Sequence, residues 1–328
     1  MKAIFQTRSG KPDVLQVGDL PSPACGPKDV LVSNLATSVN PRDCLIRAGR
    51  YQLQFLVPKF PLVLGSDCYG RVLSTGADVH NFNVGDLVYG LKSPSHGLGT
   101  YADNVSIPAN NLAQAPENIS TEQSSGVPLC ALTAYQALID HGQLQQKQRR
   151  KCQQVLVIGA SGGVGSFAVQ IAKAFGAKVD GICSASNAEL VQSLGAERVF
   201  DYKTQDIKTL KSQYDIIFDT IGQHSPATCR HLLAKNAAFV TTVPAPSFLL
   251  KHLASQFLSL LSIPHIRKRV VMVKPNQEQL TAITDFIQQG KIVPVVDSVY
   301  AMDDVTDAHL RSQSKRAVGK IIIRTQAS

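Results

Sequence analysis

Apolar positions along this chain follow two different rhythms. Up to about residue 120 they come in short β-type runs broken by glycine and proline: Asp29-Val30-Leu31-Val32, residues 61–65, Gly70-Arg71-Val72-Leu73 and residues 85–90. That spacing predicts an irregular barrel of short strands. From Ser120 the rhythm changes. Residues 125–139 read as an alanine-rich helix, after which strands and helices alternate: strand 155–158, helix 166–175, strand 178–183, helix 187–194, then strands 198–202, 214–219 and 239–243. Such alternation predicts an α/β unit with a doubly wound parallel sheet. The tail is mixed, with a helix over 278–289 stopped by Gly290 and a closing strand over 318–323.

Length and composition agree with two cores in one globular chain: 328 residues, 44% of them hydrophobic. The formal charge is +9, but its basic residues cluster only at 147–151 and at Arg267-Lys268-Arg269, which read as a solvated linker and a surface turn. No nucleic-acid partner is therefore expected, although a basic surface attracts a phosphorylated cofactor. Seven cysteines (25, 44, 68, 130, 152, 183, 229) form no C-x-x-C pair and no close spacing with histidine, which argues against structural zinc and suits a reducing compartment. Met1 opens directly into a strand-like run with no leader pattern, and the most apolar stretch, 247–263, is broken by Lys251 and His252. A cytoplasmic protein without a membrane partner is the expectation, with 247–263 as an apolar pocket wall.

One stretch fits two chemistries. Gly159-Ala160-Ser161-Gly162-Gly163 is formally the G-x-S-x-G elbow of serine hydrolases, while Ala160 to Gly165 is close to the G-x-G-x-x-G cradle of dinucleotides. A hydrolase needs a glycine-rich oxyanion loop upstream and an acid and a histidine downstream. Asp219, Asp297 and His309 could serve on paper, yet no such loop precedes Ser161. The cradle needs a compact β-α-β unit, which this stretch has. In that reading Ala160 replaces the first glycine, Gly162 lets the backbone approach a pyrophosphate, and Gly165 lets helix pack on strand.

The run 38–51 (SVNPRDCLIRAGRY), FPLVLGSDCYGRV at 60–72, VGDLVYG at 84–90, LTAYQAL at 132–138, the cradle, LGAERVFDY at 194–202 and the closing KRAVGKIII resemble the medium-chain dehydrogenase/reductase superfamily. The likeness is greatest to its zinc-independent quinone oxidoreductases, including the reticulon-interacting mitochondrial oxidoreductases. It implies a GroES-like catalytic domain from residues 1–124 and 266–328 and a Rossmann domain over 125–265, the whole forming a homodimer. Zinc enzymes of the superfamily carry metal ligands where this chain has Asn40 and Gly65-Ser66-Asp67, so no metal is expected.

The resemblance then implies hydride transfer from NADPH to a small hydrophobic electrophile, a quinone or an α,β-unsaturated carbonyl. Tyr51 is the candidate oxyanion donor and Asn40 positions the nicotinamide. The cofactor-binding set is Asn40, Thr133, Ser161, Gly162, Gly163, Val164, Gly165, Ser184, Tyr202, Lys203, Val243 and Lys320. An NAD-specific cradle carries an acid at the end of its second strand; here that place falls on Ser184, with Asp180 too early and Tyr202-Lys203 nearby to complete a 2′-phosphate pocket. Asp43 reads as a cap and His309 as a surface histidine. A non-catalytic NADPH-binding protein would share these features, and the sequence leaves that reading open.

Overall fold

A computed structural model of the chain describes residues 1–94, 96–145, 152–242 and 266–326. Val243, the basic cluster at 147–151 and the apolar stretch 247–263 lie outside the described residues. The chain divides into two compact units, Met1–Leu132 with Lys274–Ser328, and Thr133–Val273.

The first unit is built around β3 (Asp29–Val39), whose eleven residues exceed the short run predicted there. It pairs with β5 (Asp67–Thr75), β7 (Asn104–Pro108) and, from the far end of the chain, β16 (Lys320–Arg324). The sheet continues through β6 (Leu87–Leu91) and β8 (Leu112–Gln114) on one side and β15 (Val296–Tyr300) on the other. A second, three-stranded sheet holds β1 (Lys2–Gln6) between β2 (Gln16–Asp19) and β4 (Leu62–Val63). Along β3 burial alternates through Val30, Val32 and Asn34, and then Ala36, Thr37, Ser38 and Val39 are all buried. Two hydroxyls thus enter the interior and must find partners there. Next comes α1 (Pro41–Arg47), started by Pro41 and by Asp43, whose carboxylate accepts from the Asn40 N–H at 2.8 Å.

The helix expected over 125–139 is instead three pieces. Helix α2 (Thr121–Ser125) is capped by Ser120, which accepts from the Gln123 N–H, and it ends at Gly126. Pro128, lacking an N–H, can start a helix but not continue one, so α3 (Pro128–Tyr135) begins anew and runs into a wider π-type turn, Gln136–His141.

The second unit is a parallel sheet of β9 (Gln154–Ile158), β10 (Lys178–Cys183), β11 (Arg198–Asp201), β12 (Tyr214–Asp219), β13 (Leu233–Thr241) and β14 (Arg267–Val270), in the order β11-β10-β9-β12-β13-β14. Helix α4 (Gly163–Ala174) returns the chain from β9 to β10 with Phe167, Ala168, Val169, Ile171 and Ala172 fully buried. Strand order reverses between β9 and β12, which is where doubly wound sheets open a ligand crevice. Arg267-Lys268-Arg269 is not a turn but part of β14, an edge strand; charge on such a strand blunts pairing with other chains. No helix among the described residues is long and apolar enough to cross a membrane.

Candidate active site and cofactor cradle

At the reversal point the glycines have distinct tasks. Gly159 ends β9 at φ +80°, a conformation that favours glycine, and a Cβ there would meet Thr220 Oγ1 at 2.5 Å. The tight turn therefore belongs to Gly159, and Ala160 does not replace a missing glycine as the motif suggested. A Cβ on Gly165 would stand 2.0 Å from the Gly159 carbonyl oxygen, so this glycine lets α4 lie on the turn. Gly162 differs. A Cβ there would touch only the Gly159 oxygen, at 3.4 Å, so no internal packing demands a glycine. Its bareness leaves room for an external group at the start of α4, where N–H groups and the helix dipole favour an anion. A dinucleotide pyrophosphate fits the cradle that residues 161–165 form.

Ser161 Oγ accepts from Asn187 Nδ2 at 3.1 Å, a partner the sequence did not suggest. Of the acids proposed for an elbow, Asp219 accepts from the N–H groups of Ile221, Gly222 and His224, and Asp297 is held by Arg311. Strand β10 ends at Cys183 and Ser184 follows it, half-buried, with its hydroxyl 2.9 Å from that of Ser186. The parallel register sets Cys183 opposite Asp201, so Tyr202 and Lys203 leave β11 at the same sheet edge as Ser184. Tyr202 is exposed and its N–H bonds the Cys183 carbonyl. Asp180 lies inside β10, paired with Arg198 and accepting from Tyr214 at 2.7 Å. Thr133 is buried in α3.

In the first unit the hydroxyls of β3 lead into a buried polar cluster. Thr37 donates to the Asp67 carbonyl at 2.7 Å and Ser38 donates to the Asp67 carboxylate. Asp67 Oδ1 takes the Leu129 N–H at 2.6 Å; Oδ2 also takes Asn40 Nδ2 at 2.9 Å and faces Lys320 Nζ at 3.5 Å. Lys320 donates to Asn40 Oδ1 at 2.7 Å and approaches Cys130 Sγ at 3.4 Å. A cation on one side and an anion on the other thus fix which way the Asn40 amide points. Burial pulls Lys320 toward its neutral form, but Cys130 and Asp67 outweigh it and leave its pKa raised. Tyr51 stands in the loop after α1, its ring half-buried against the apolar core that includes Ala3 and Ile4.

His309 is not on the surface: it is fully buried and bonded to Arg47 at 3.0 Å and Tyr101 at 3.2 Å. The guanidinium can only donate, so His309 Nδ1 accepts, its Nε2–H donates to Tyr101, and the Tyr101 hydroxyl donates to Asp43 Oδ2 at 3.4 Å. Burial, aided by the neighbouring Arg47 charge, holds the His309 pKa down at about 3, and burial pushes Asp43 up to about 6. Asp43 Oδ1 has no hydrogen-bond partner among the described residues. Tyr101 reaches this spot because Gly65, at φ +95°, has no Cβ; one would stand 2.3 Å from the tyrosine ring.

The donor set near Asn40 does not suit zinc. An amide, a serine hydroxyl held by Arg42 and a thiol that burial pushes up are poor ligands, and a lysine ammonium already balances the Asp67 carboxylate.

A glycine cradle at the reversal point of a doubly wound sheet, joined in one chain to a unit of short mixed strands, is the arrangement of a nicotinamide-dependent oxidoreductase. Residues 26–117 match the model of the alcohol dehydrogenase GroES-like domain, and residues 194–323 that of the zinc-binding dehydrogenases. The chain is 31% identical to the chloroplastic quinone-oxidoreductase QR1 of Triphysaria versicolor, over 93% of this chain and 92% of the relative. It is 33% identical to the mitochondrial NAD(P)H oxidoreductase RTN4IP1 of Homo sapiens, over 90% and 82%. The solved quinone oxidoreductase of Coxiella burnetii superposes with a TM-score of 0.87 at 27% identity, over 99% of both chains. The chain belongs to the medium-chain dehydrogenase/reductase superfamily, in its quinone oxidoreductase branch.

Proposed function

We propose that the protein is a zinc-independent reductase that uses NADPH to reduce a quinone or an α,β-unsaturated carbonyl compound. The observation that carries this reading is the cradle, where Gly162 is bare toward the outside and a serine, not an acid, follows the second strand. When bound, the dihydronicotinamide supplies the hydride. The chain's own residues hold and orient: the α4 N-terminus binds the pyrophosphate, while Ser184, Tyr202 and Lys203 accommodate the 2′-phosphate. Thr133 and Val243 belong to the same cofactor-binding set; in the first unit Asn40, held by Lys320, positions the nicotinamide, and the Tyr51 hydroxyl donates to the acceptor oxygen as negative charge develops there. A homodimer in the cytosol is part of the same proposal, and light scattering at a monomer mass would count against the dimer.

Purified protein oxidises NADPH in the presence of a quinone after treatment with chelator. Activity lost to EDTA and restored by zinc overturns the metal-free reading. Ser184→Asp reverses or abolishes the preference for NADPH over NADH by repelling the 2′-phosphate; an unaltered preference means that the phosphate lies elsewhere. Tyr51→Phe lowers turnover by up to about 100-fold with NADPH affinity unchanged, whereas an unchanged rate with a lower melting temperature assigns the ring to packing alone.

A further inference from the structure

Lys92 follows β6 and is buried, only 5% exposed. Its backbone N–H is tied to the Ser66 carbonyl at 2.7 Å, and among the described residues its ammonium donates to a single acceptor, the Ser106 carbonyl. No carboxylate among the described residues comes within ion-pair reach of it. Among the described residues, two of its three N–H donors therefore have no partner. An ion buried with so few partners is unfavourable, and a lysine relieves that by losing its proton. Burial does pull the Lys92 pKa down, with Cys68 and Asp29 only partly opposing it.

Beside the amine lies a cavity of about 290 Å³ whose wall includes Asp29, His96, Leu98, Asn104 and Ser106. A neighbouring cavity of about 410 Å³ shares Asp29, His96 and Pro108. The Asp29 carboxylate, which accepts from Ser106 Oγ at 3.3 Å, opposes an anionic occupant. It favours instead an uncharged molecule whose electrophilic carbon can meet a desolvated amine. Asp29 and His96 stand on the same wall and can accept or return a proton.

We infer that this cavity is a reactive-amine site for a small aldehyde or ketone, which it binds as an imine on Lys92 Nζ. The amine lone pair forms the C–N bond as the carbonyl π pair moves to oxygen, which takes up a proton. The resulting carbinolamine loses its hydroxyl as water, using one further proton, and the nitrogen gives up its two original protons in turn. The sum is one amine and one carbonyl compound to one imine and one water, with no oxidant or reductant.

Reductive trapping on the full chain tests this site. Propanal and sodium cyanoborohydride are added at neutral pH, and propylated lysines are mapped by peptide mass spectrometry over time. Lys92 is expected to react about tenfold faster than the exposed Lys208 and Lys235, with a rate that saturates in propanal. Lys92→Arg removes that fast label alone and leaves NADPH oxidation unchanged. A Lys92 rate equal to that of the exposed lysines, a rate linear in propanal, or protection by propionate at the same concentration overturns the inference, the last by showing an anion site.

Discussion

The cradle and the polar cluster around Asn40 solve the same problem of placing polar groups, by opposite means. The cradle is backbone: residues 159–165 hold four glycines, and a Cβ on Gly162 would touch only the Gly159 oxygen. The cluster is side chains: Ser38, Asn40, Asp67, Cys130 and Lys320 come from distant parts of the chain, all are buried, and nearly every polar atom is already committed. A backbone site tolerates most side-chain changes and fails at a missing or added Cβ. A buried side-chain site fails when one partner is lost.

Lys320→Met tests that contrast most severely. It leaves the Asp67 charge uncompensated and is expected to destabilise the fold by about 3–5 kcal/mol. Adding Asp67→Asn recovers a good part of the loss in denaturant melts; an additive double variant would show that the two groups do not act as a pair. Next is Gly165→Ala, whose Cβ overlaps the Gly159 oxygen and should cost up to about 3 kcal/mol. Gly162→Ala should melt like the wild type yet weaken NADPH binding several-fold in a fluorescence titration. Equal melting temperatures for the two glycine variants would break the distinction between them.

The smallest effect is in pH dependence. The Asp43 pKa is raised to about 6, so the native state holds a proton that the unfolded chain releases near 4. Stability from this group therefore falls as pH rises from about 4 to 6 and is flat above. The His309 pKa is lowered to about 3, so the unfolded chain binds a proton below about 6.5 that the native state refuses, and stability falls as pH drops through that window. Asp43→Asn should remove the first slope and His309→Gln the second, both read from melting temperature against pH. An unchanged profile in both would mean that neither group stays buried in its present state.

Local reach explains what the sequence disclosed. The β-α-β alternation, the cradle and the end of the second strand are written in consecutive residues, and the structure has them there. Even so, the motif template assigned Ala160 the place of a lost glycine because it fixed the first position by pattern, whereas backbone geometry put the turn at Gly159. The cluster was barely legible. Asn40 and Lys320 stood out only through family likeness, and nothing local announced that Tyr101, Arg47 and His309 would meet. One signal was available for His309: Val305, Ala308 and His309 share a helical face, spaced as a buried stripe is spaced.

The pairing of β16 with β3 carries a consequence for how the molecule comes into being. Asn40 and Lys320 touch across 280 positions of chain, and the central sheet of the first unit gains β16 only after residues 320–324 have been made. During synthesis, β3 waits with an open edge while the whole of the second unit emerges, and that unit has every described strand of its own sheet within one continuous stretch. Contacts of such long sequence separation form slowly. The second unit is thus expected to become protease-resistant on the ribosome before the first, and removing residues from 318 onward should leave a nascent chain whose second unit survives digestion while β3 remains open to cleavage.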